Sequence, residues 1–326
     1  MRLYTTEYIH IPVRNDRTLK VLVIRHTAVP SPSEKEADTG EPAMQEPAAP
    51  VAGGPKILHA QPKDRSIGVL WLHGGGYATG FPKLVLMSAG LELVRHYNVT
   101  LFVPDYRLSG KAPYPAALED AYDTLLYMRD NARGLDIRKS QLMVGGESAG
   151  GGLCAALCLY ARDLKRKGSE KAVNIAYQMP LYPMIDDRDT ETSRSNTGIF
   201  WNTRRNHAAW KQYLRDIYPD SMSNAERDAA LATLAVPIYA APARAKNLSG
   251  LPPCYSFIAK GEPFYAETVD FMKRLKAAGV PAHLDEYETT EHAFDMLLPF
   301  LPESKKARER FIKQFDYASR KFSAKN

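Results

Sequence analysis

The sequence predicts an α/β fold, a mostly parallel eight-stranded sheet covered by helices on both faces, and three observations predict it. Short apolar, β-branched runs recur along the chain, and stretches with helical periodicity separate the later ones. Hydrophobic residues make up 44% and charged residues 25% of the chain, the ordinary balance of a globular protein. At 326 residues there is room for one large α/β domain with an insertion, or for two small domains.

The apolar runs at 7–13, 19–25, 67–72, 99–104, 142–145, 175–181, 255–259 and 283–287 each suit a strand. Helical periodicity marks 83–97, 114–131, 149–167, 263–278 and 302–322. Strand alternating with helix implies parallel neighbours joined by crossovers, hence helices on both faces. Two segments break this rhythm. The stretch 30–65, crowded with Pro, Ala, Glu and Gly, has no period and reads as a flexible loop between the second and third strands. The stretch 187–248 follows the sixth strand and carries Phe200, Trp201, Trp210, Tyr213, Tyr218 and Tyr239 among charges. A helical insertion there sits above the carboxyl ends of the strands, where open α/β sheets bind ligands, so it reads as a lid. The core is then 1–186 together with 249–326.

The net charge of +6 comes from Lys and Arg spread along the chain except for 305–325, which reads as a solvated helix face rather than a nucleic-acid surface. The first residues form no apolar run of secretory length, and nothing approaches the ~20 apolar residues of a membrane span, so the expectation is a cytoplasmic protein without a membrane partner. Cys154, Cys158 and Cys254 lack metal-ligand spacing and read as buried free thiols.

Two motifs carry chemistry. Gly146-Glu147-Ser148-Ala149-Gly150 matches G-x-S-x-G, a pattern that arises by chance in about one protein of this length in ten. Its context strengthens it. A strand, 142–145, precedes it and a helix follows, which is the strand, sharp turn and helix that expose a nucleophilic serine. A phosphate-binding loop would need a Lys-Ser/Thr pair that is missing here. The second motif, His73-Gly74-Gly75-Gly76, follows the strand 67–72, and consecutive glycines let backbone N–H groups converge on one point. Gly74 and Gly75, with Ala149 of the first motif, are the candidate oxyanion donors, while His73 reads as a brace for the loop. Tyr77, Phe200 and Trp201 are the candidate substrate-pocket residues, the last two for an acyl pocket, with packing inside the insertion as their alternative and commoner fate.

A serine nucleophile needs a base within hydrogen-bond reach, itself oriented by a carboxylate, and after a G-x-S-x-G elbow the chain order is Ser, acid, His. Of the later histidines, His207 falls inside the insertion and His283 at the start of a strand. Only His292, just past the last strand, falls on the catalytic edge. Glu262, in the turn after the seventh strand, is the candidate acid; Asp270 and Asp295 are the alternatives, and a capping role is the ordinary reading of a carboxylate at a helix start.

The order His73-Gly74-Gly75-Gly76, Asp105-Tyr106-Arg107-Leu108, Pro113 to Asp120, Gly146 to Gly151 and His292-Ala293-Phe294 resembles the hormone-sensitive-lipase-like family of α/β-hydrolases from Ile67 onward. The resemblance implies the α/β-hydrolase fold and a carboxylesterase acting on short- or medium-chain acyl esters without a cofactor. Its partner is a small-molecule ester, and a homodimer is open. Glu262 stands where the family usually has Asp, Ser109-Gly110-Lys111 replaces Ala-Pro-Glu, and Ala293 replaces a common Gly. Family members commonly carry N-terminal cap helices, whereas the start here reads as two strands. Deacetylation of an acetylated sugar and non-catalytic binding of a small ligand are the alternatives, and His292, the base that binding-only relatives have lost, favours an enzyme. Glu147 is expected either to pair with Arg107 and hold the elbow or to face solvent.

Overall fold

The computed structural model describes residues 4–27, 65–218 and 227–323. Apart from Arg65, the stretch 30–65 read as a loop lies outside the described residues. The strands are β1 (Tyr4–Val13), β2 (Arg17–His26), β3 (Ser66–Leu72), β4 (Val99–Pro104), β5 (Ile137–Glu147), β6 (Tyr177–Leu181), β7 (Cys254–Ala259) and β8 (Ala282–Tyr287). They form one sheet in the order β1-β2-β4-β3-β5-β6-β7-β8. β1 and β2 make an antiparallel ribbon, in whose turn Asn15 and Asp16 take positive φ, and β2 runs antiparallel to β4. The remaining pairs are parallel. Every residue of β3, β4, β6 and β7 is buried, as befits strands covered on both faces.

The helices are α1 (Ala89–His96), α2 (Ala116–Asp130), α3 (Ala149–Arg166), α4 (Thr203–Tyr213), α5 (Arg227–Thr233), α6 (Tyr265–Ala277), α7 (Phe294–Leu297) and α8 (Pro302–Lys321). α2 packs on α3, and α1 packs on α8. Trp71 of β3 points to the α1/α8 side, its ring 6.1 Å from that of Phe311, and a Cβ on Gly90 or Gly145 would collide with the indole. Strand alternation sends Leu72 the other way, where Gly150 of α3 comes so close that a Cβ would lie 2.0 Å from the Leu72 carbonyl oxygen. α8 presents Ala307, Phe311, Ile312, Phe315 and Ala318 inward, one apolar stripe at helical spacing, and Pro302 opens it without losing a hydrogen bond.

The helix predicted over 83–97 is two pieces. A 3-10 turn spans Pro82–Met87, and α1 begins only after Ser88, whose extended backbone and whose Oγ, accepting the Gly90 N–H, make it an N-cap. Periodicity alone does not register such an interior cap.

After β4 the chain crosses back past β3 to build β5 on the opposite side. The strand order therefore reverses at β3, and the crevice outside the carboxyl ends of β3 and β5 is where this architecture takes ligands. Both motifs, after β3 and after β5, stand there.

Candidate active site

Ser148 occupies the turn between β5 and α3 with φ 56° and ψ −120°, a strained backbone for a residue with a Cβ. The strain is held from several sides: the Ser148 N–H donates to Leu181, and its carbonyl accepts from Gly152 and Met184. Glycine is required at 146 because a Cβ would lie 2.6 Å from the carbonyl oxygens of Gly150 and Leu72.

His292 reaches this serine from the loop after β8. Its Nε2 is 2.9 Å from Ser148 Oγ, and its Nδ1 is 2.9 Å from Glu262 Oε2. The three residues are buried, Glu262 completely. The turn bearing Glu262 is tied to the histidine loop: Lys260 N–H donates to Tyr287 and Gly261 N–H to Thr289, and Gly261 packs against Thr290 too closely to admit a Cβ. Those two ties bring the longer glutamate into register with the imidazole. Burial raises the Glu262 pKa, and the His292 charge and hydrogen bond pull it back down. Ala293 adopts the left-handed conformation at φ 56° and ψ 35°, a place where glycine costs less, so the departure from the common Gly carries strain.

Asp270, one alternative acid, is exposed on α6 and pairs with Arg274; Asp295, the other, is buried at the start of α7. Neither forms a hydrogen bond with His292 among the described contacts. His207 pairs with Asp189, and His283 lies exposed beside Asp285.

The loop after β3 bends at Gly75, φ 122°, where a Cβ would sit 2.2 Å from the Thr79 carbonyl oxygen. That bend is locked by the N–H groups of Ala78 and Thr79 and the hydroxyl of Thr79, all donating to the Gly75 carbonyl. Gly74 lies against the elbow, its Cβ position 3.4 Å from Ser148 Cβ. Ala149 is the first residue of α3, so its N–H has no partner within the helix. Among the described residues no backbone carbonyl outside the regular elements takes the N–H groups of Gly74, Gly75 or Ala149. His73 is buried and stacked 4.2 Å from Tyr106; burial lowers its pKa to about 4, and its Nδ1 is 2.9 Å from the Gly74 carbonyl oxygen. A neutral ring donating there is a brace.

Several side chains sit differently from expectation. Glu147 does not meet Arg107: its Oε1 accepts from the Trp71 indole 2.9 Å away, while Arg107 binds Asp120 and Glu119. The glutamate points into the core and the arginine stays at the sheet margin with α2. Burial pushes the Glu147 carboxyl up to about 8. Tyr77 is sealed rather than open to a pocket, 1% exposed, its hydroxyl donating to Met184 and its ring stacked 4.0 Å from Tyr213. Phe200 and Trp201 lie half-buried ahead of α4, and the Trp201 ring centroid is 6.2 Å from that of His292.

Two aromatic neighbours of His292 were not singled out from sequence. Tyr182 and Phe264 meet the imidazole edge-on at 5.2 and 5.0 Å, on two elements that end at the same crevice. The signal was there for Tyr182, the first residue beyond β6, at a strand's carboxyl end. Glu267 was also passed over; it is buried on α6 and accepts the N–H groups of Ile185 and Asp186, holding the chain as it leaves β6.

Fold and site together define the class: an α/β protein with a serine on a nucleophile elbow at the switch point of its sheet, facing a histidine and a glutamate. A family model described as alpha/beta hydrolase fold matches residues 69–296. Esterase LipI of Mycobacterium tuberculosis is 27% identical over 244 residues, covering 74% of this chain and 70% of that protein. Carboxylic ester hydrolase LipN of the same organism is 33% identical over 234 residues, 69% of this chain but only 56% of its own length. Among solved structures, a bacterial heroin esterase superposes with a TM-score of 0.75 at 26% identity, covering 97% of this chain and 84% of that one. This chain belongs to the α/β-hydrolase fold family, in the hormone-sensitive-lipase-like branch that its motifs resemble. No helix among the described residues is long and apolar enough to cross a membrane.

Proposed function

We propose that the chain is a carboxylesterase that cleaves short- to medium-chain acyl esters through Ser148, His292 and Glu262 by way of an acyl-enzyme. The observation that carries this reading is the unbroken line from Glu262 Oε2 through His292 to Ser148 Oγ, with both contacts at 2.9 Å. His292 Nε2 takes the hydroxyl proton as Ser148 Oγ attacks the ester carbonyl, and Glu262 holds the tautomer with the proton on Nδ1 and stabilises the imidazolium. The tetrahedral oxyanion accepts from the N–H groups of Gly74, Gly75 and Ala149, set before the reaction by the locked loop and the helix start. His292 then returns its proton to the leaving alkoxide, and a water activated by the same nitrogen hydrolyses the acyl-enzyme, regenerating Ser148.

The esterases among the relatives support ester hydrolysis, and the chain is a carboxylic ester hydrolase. Residues 187–248, with α4 and α5, act as the lid over a core of 1–186 and 249–326, supported by the nearness of Trp201 to His292. Three free, buried cysteines suit a reducing compartment such as the cytoplasm. The direct test is labelling with a fluorophosphonate followed by mapping of the adduct. The expected product is a single adduct on Ser148, absent after Ser148→Ala; a native protein that takes no label sinks the reading.

A further inference from the structure

Trp201 touches both halves of the site. The outer edge of its indole rests on the loop after β3, so close that a Cβ on Gly76 would lie 2.3 Å from Cη2 and 3.1 Å from Cζ2. Its ring centroid lies 6.2 Å from that of His292 and 6.4 Å from that of Phe264. The wall is anchored. Thr192 donates to the Pro263 carbonyl at 2.9 Å and Asn196 to the Gly261 carbonyl at 3.0 Å, so the segment leading to Trp201 is fastened to the turn that carries Glu262. Asn202, next in sequence, caps α4 by accepting the Arg205 N–H and donates back to Gly198. Indole, base and acid are thereby held as one unit.

Which arm of an ester meets this wall follows from the proton's route. His292 Nε2 must hand its proton to the leaving oxygen, so the alcohol arm lies on the imidazole side of the reacting carbon and the acyl arm on the other. A ring bordering the imidazole on one side and the oxyanion loop on the other borders the alcohol arm. We propose that Trp201 is the specificity-determining residue for the alcohol portion of the substrate, selecting esters of flat or slender alcohols, phenols included, over those of bulky saturated alcohols. The acyl pocket expected for Trp201 from sequence is thus reassigned to the leaving group. The inference rests on the carboxylesterase reading above. Selection works by exclusion and by stacking: the indole face suits a planar group, and its tethers keep it from yielding to a branched one.

The test compares wild type, Trp201→Phe and Trp201→Ala on two pairs of esters, with fluorophosphonate labelling to count active sites. 1-Naphthyl acetate against menthyl acetate varies the alcohol; p-nitrophenyl acetate against p-nitrophenyl octanoate varies the acyl chain. Expected is a rise of about tenfold or more in the menthyl-to-naphthyl ratio of kcat/KM for Trp201→Ala, within the span that pocket shape commonly supplies. Trp201→Phe, which keeps a flat ring, should fall between, while the octanoate-to-acetate ratio moves less than about threefold. If the acyl ratio shifts and the alcohol ratio does not, or if neither shifts in correctly folded, labelled variants, the proposal is wrong. If wild type neither turns over any ester nor takes the label, the esterase reading itself falls, and this inference with it. Should Trp201→Ala fail to fold, Trp201→Phe against wild type still decides, because an unchanged alcohol ratio counts against the proposal.

Discussion

At the carboxyl edge of the sheet, His292 meets Glu262 through Nδ1 at 2.9 Å; in the segment after β6, His207 meets both oxygens of Asp189 through Nε2, at 2.8 and 3.0 Å. Both pairs are largely shielded, with side-chain exposures of 6% and 0% in the first and 16% and 8% in the second. Chemically the two are alike, and the difference lies in which nitrogen the carboxylate takes. When the acid binds Nδ1, the outer nitrogen projects from the ring and can reach a partner on another element, here Ser148 Oγ. When the acid takes Nε2, the nitrogen left over sits beside its own backbone, and the pair becomes a tie between α4 and the chain after β6. A histidine–carboxylate contact is catalytic by orientation, not by composition.

The comparison can be broken most severely at the first pair. Ser148→Ala and His292→Ala should each lower kcat by about 10⁶-fold, with the double variant little worse than either, since residues acting as one unit are not additive. Glu262→Gln should cost up to about 10⁴-fold in kcat, because the amide leaves the wrong tautomer on His292. Residual activity near wild type would move the acid role elsewhere, Asp295 being the buried carboxylate to examine next. Gly75→Ala should cost about 10² to 10³-fold, as the bend at φ 122° and the 2.2 Å approach of Thr79 force the loop after β3, proposed to hold the oxyanion, out of place. Steady-state kinetics on p-nitrophenyl acetate measure all of these.

At the second pair the expectation reverses. His207→Ala should leave kcat within about threefold while lowering unfolding free energy by about 1.5–3 kcal/mol, the worth of a hydrogen bond to a charged group. Denaturant titration alongside kinetics separates the two effects, and a large loss of rate with unchanged stability would erase the contrast. A pH-dependent effect on stability is expected at Glu147. Burial raises its pKa from 4.5 to about 8, so the folded chain retains a proton that the unfolded chain releases across that window. The folded state binds more protons there, hence stability falls as pH rises from 4.5 towards 8 on this account. Glu147→Gln keeps an oxygen for the Trp71 indole and cannot ionise, so its melting temperature should fall less steeply over that range than that of wild type.

The strand pattern and the two loops were legible because each is written in a few consecutive residues: β-branched runs, a glycine triplet, a serine between small neighbours. The positions of Ser148, Glu262 and His292 relative to the strands were legible as well, since each follows a strand at the same sheet edge. The break in the predicted 83–97 helix was not, because one serine N-cap competes with an otherwise helical pattern. Nor were the neighbours of Glu147 and Tyr77. Glu147 and its partner Trp71 lie 76 residues apart in the chain, and Tyr77 and Met184 lie 107 apart.

By itself, then, the sequence determined the alternation of elements, the elbow, the glycine bend and a short list of candidate acids and bases, because local conformational preference and side-chain chemistry act within a turn or two of chain. Tertiary structure alone decided what those groups face. The sheet's order brought the loops after β3, β5, β7 and β8 to one crevice, and packing chose Trp71 for Glu147 and Gly76 for the edge of Trp201. The physical reason is that burial and hydrogen bonding depend on distances in space, and a parallel sheet makes neighbours of residues far apart in the chain.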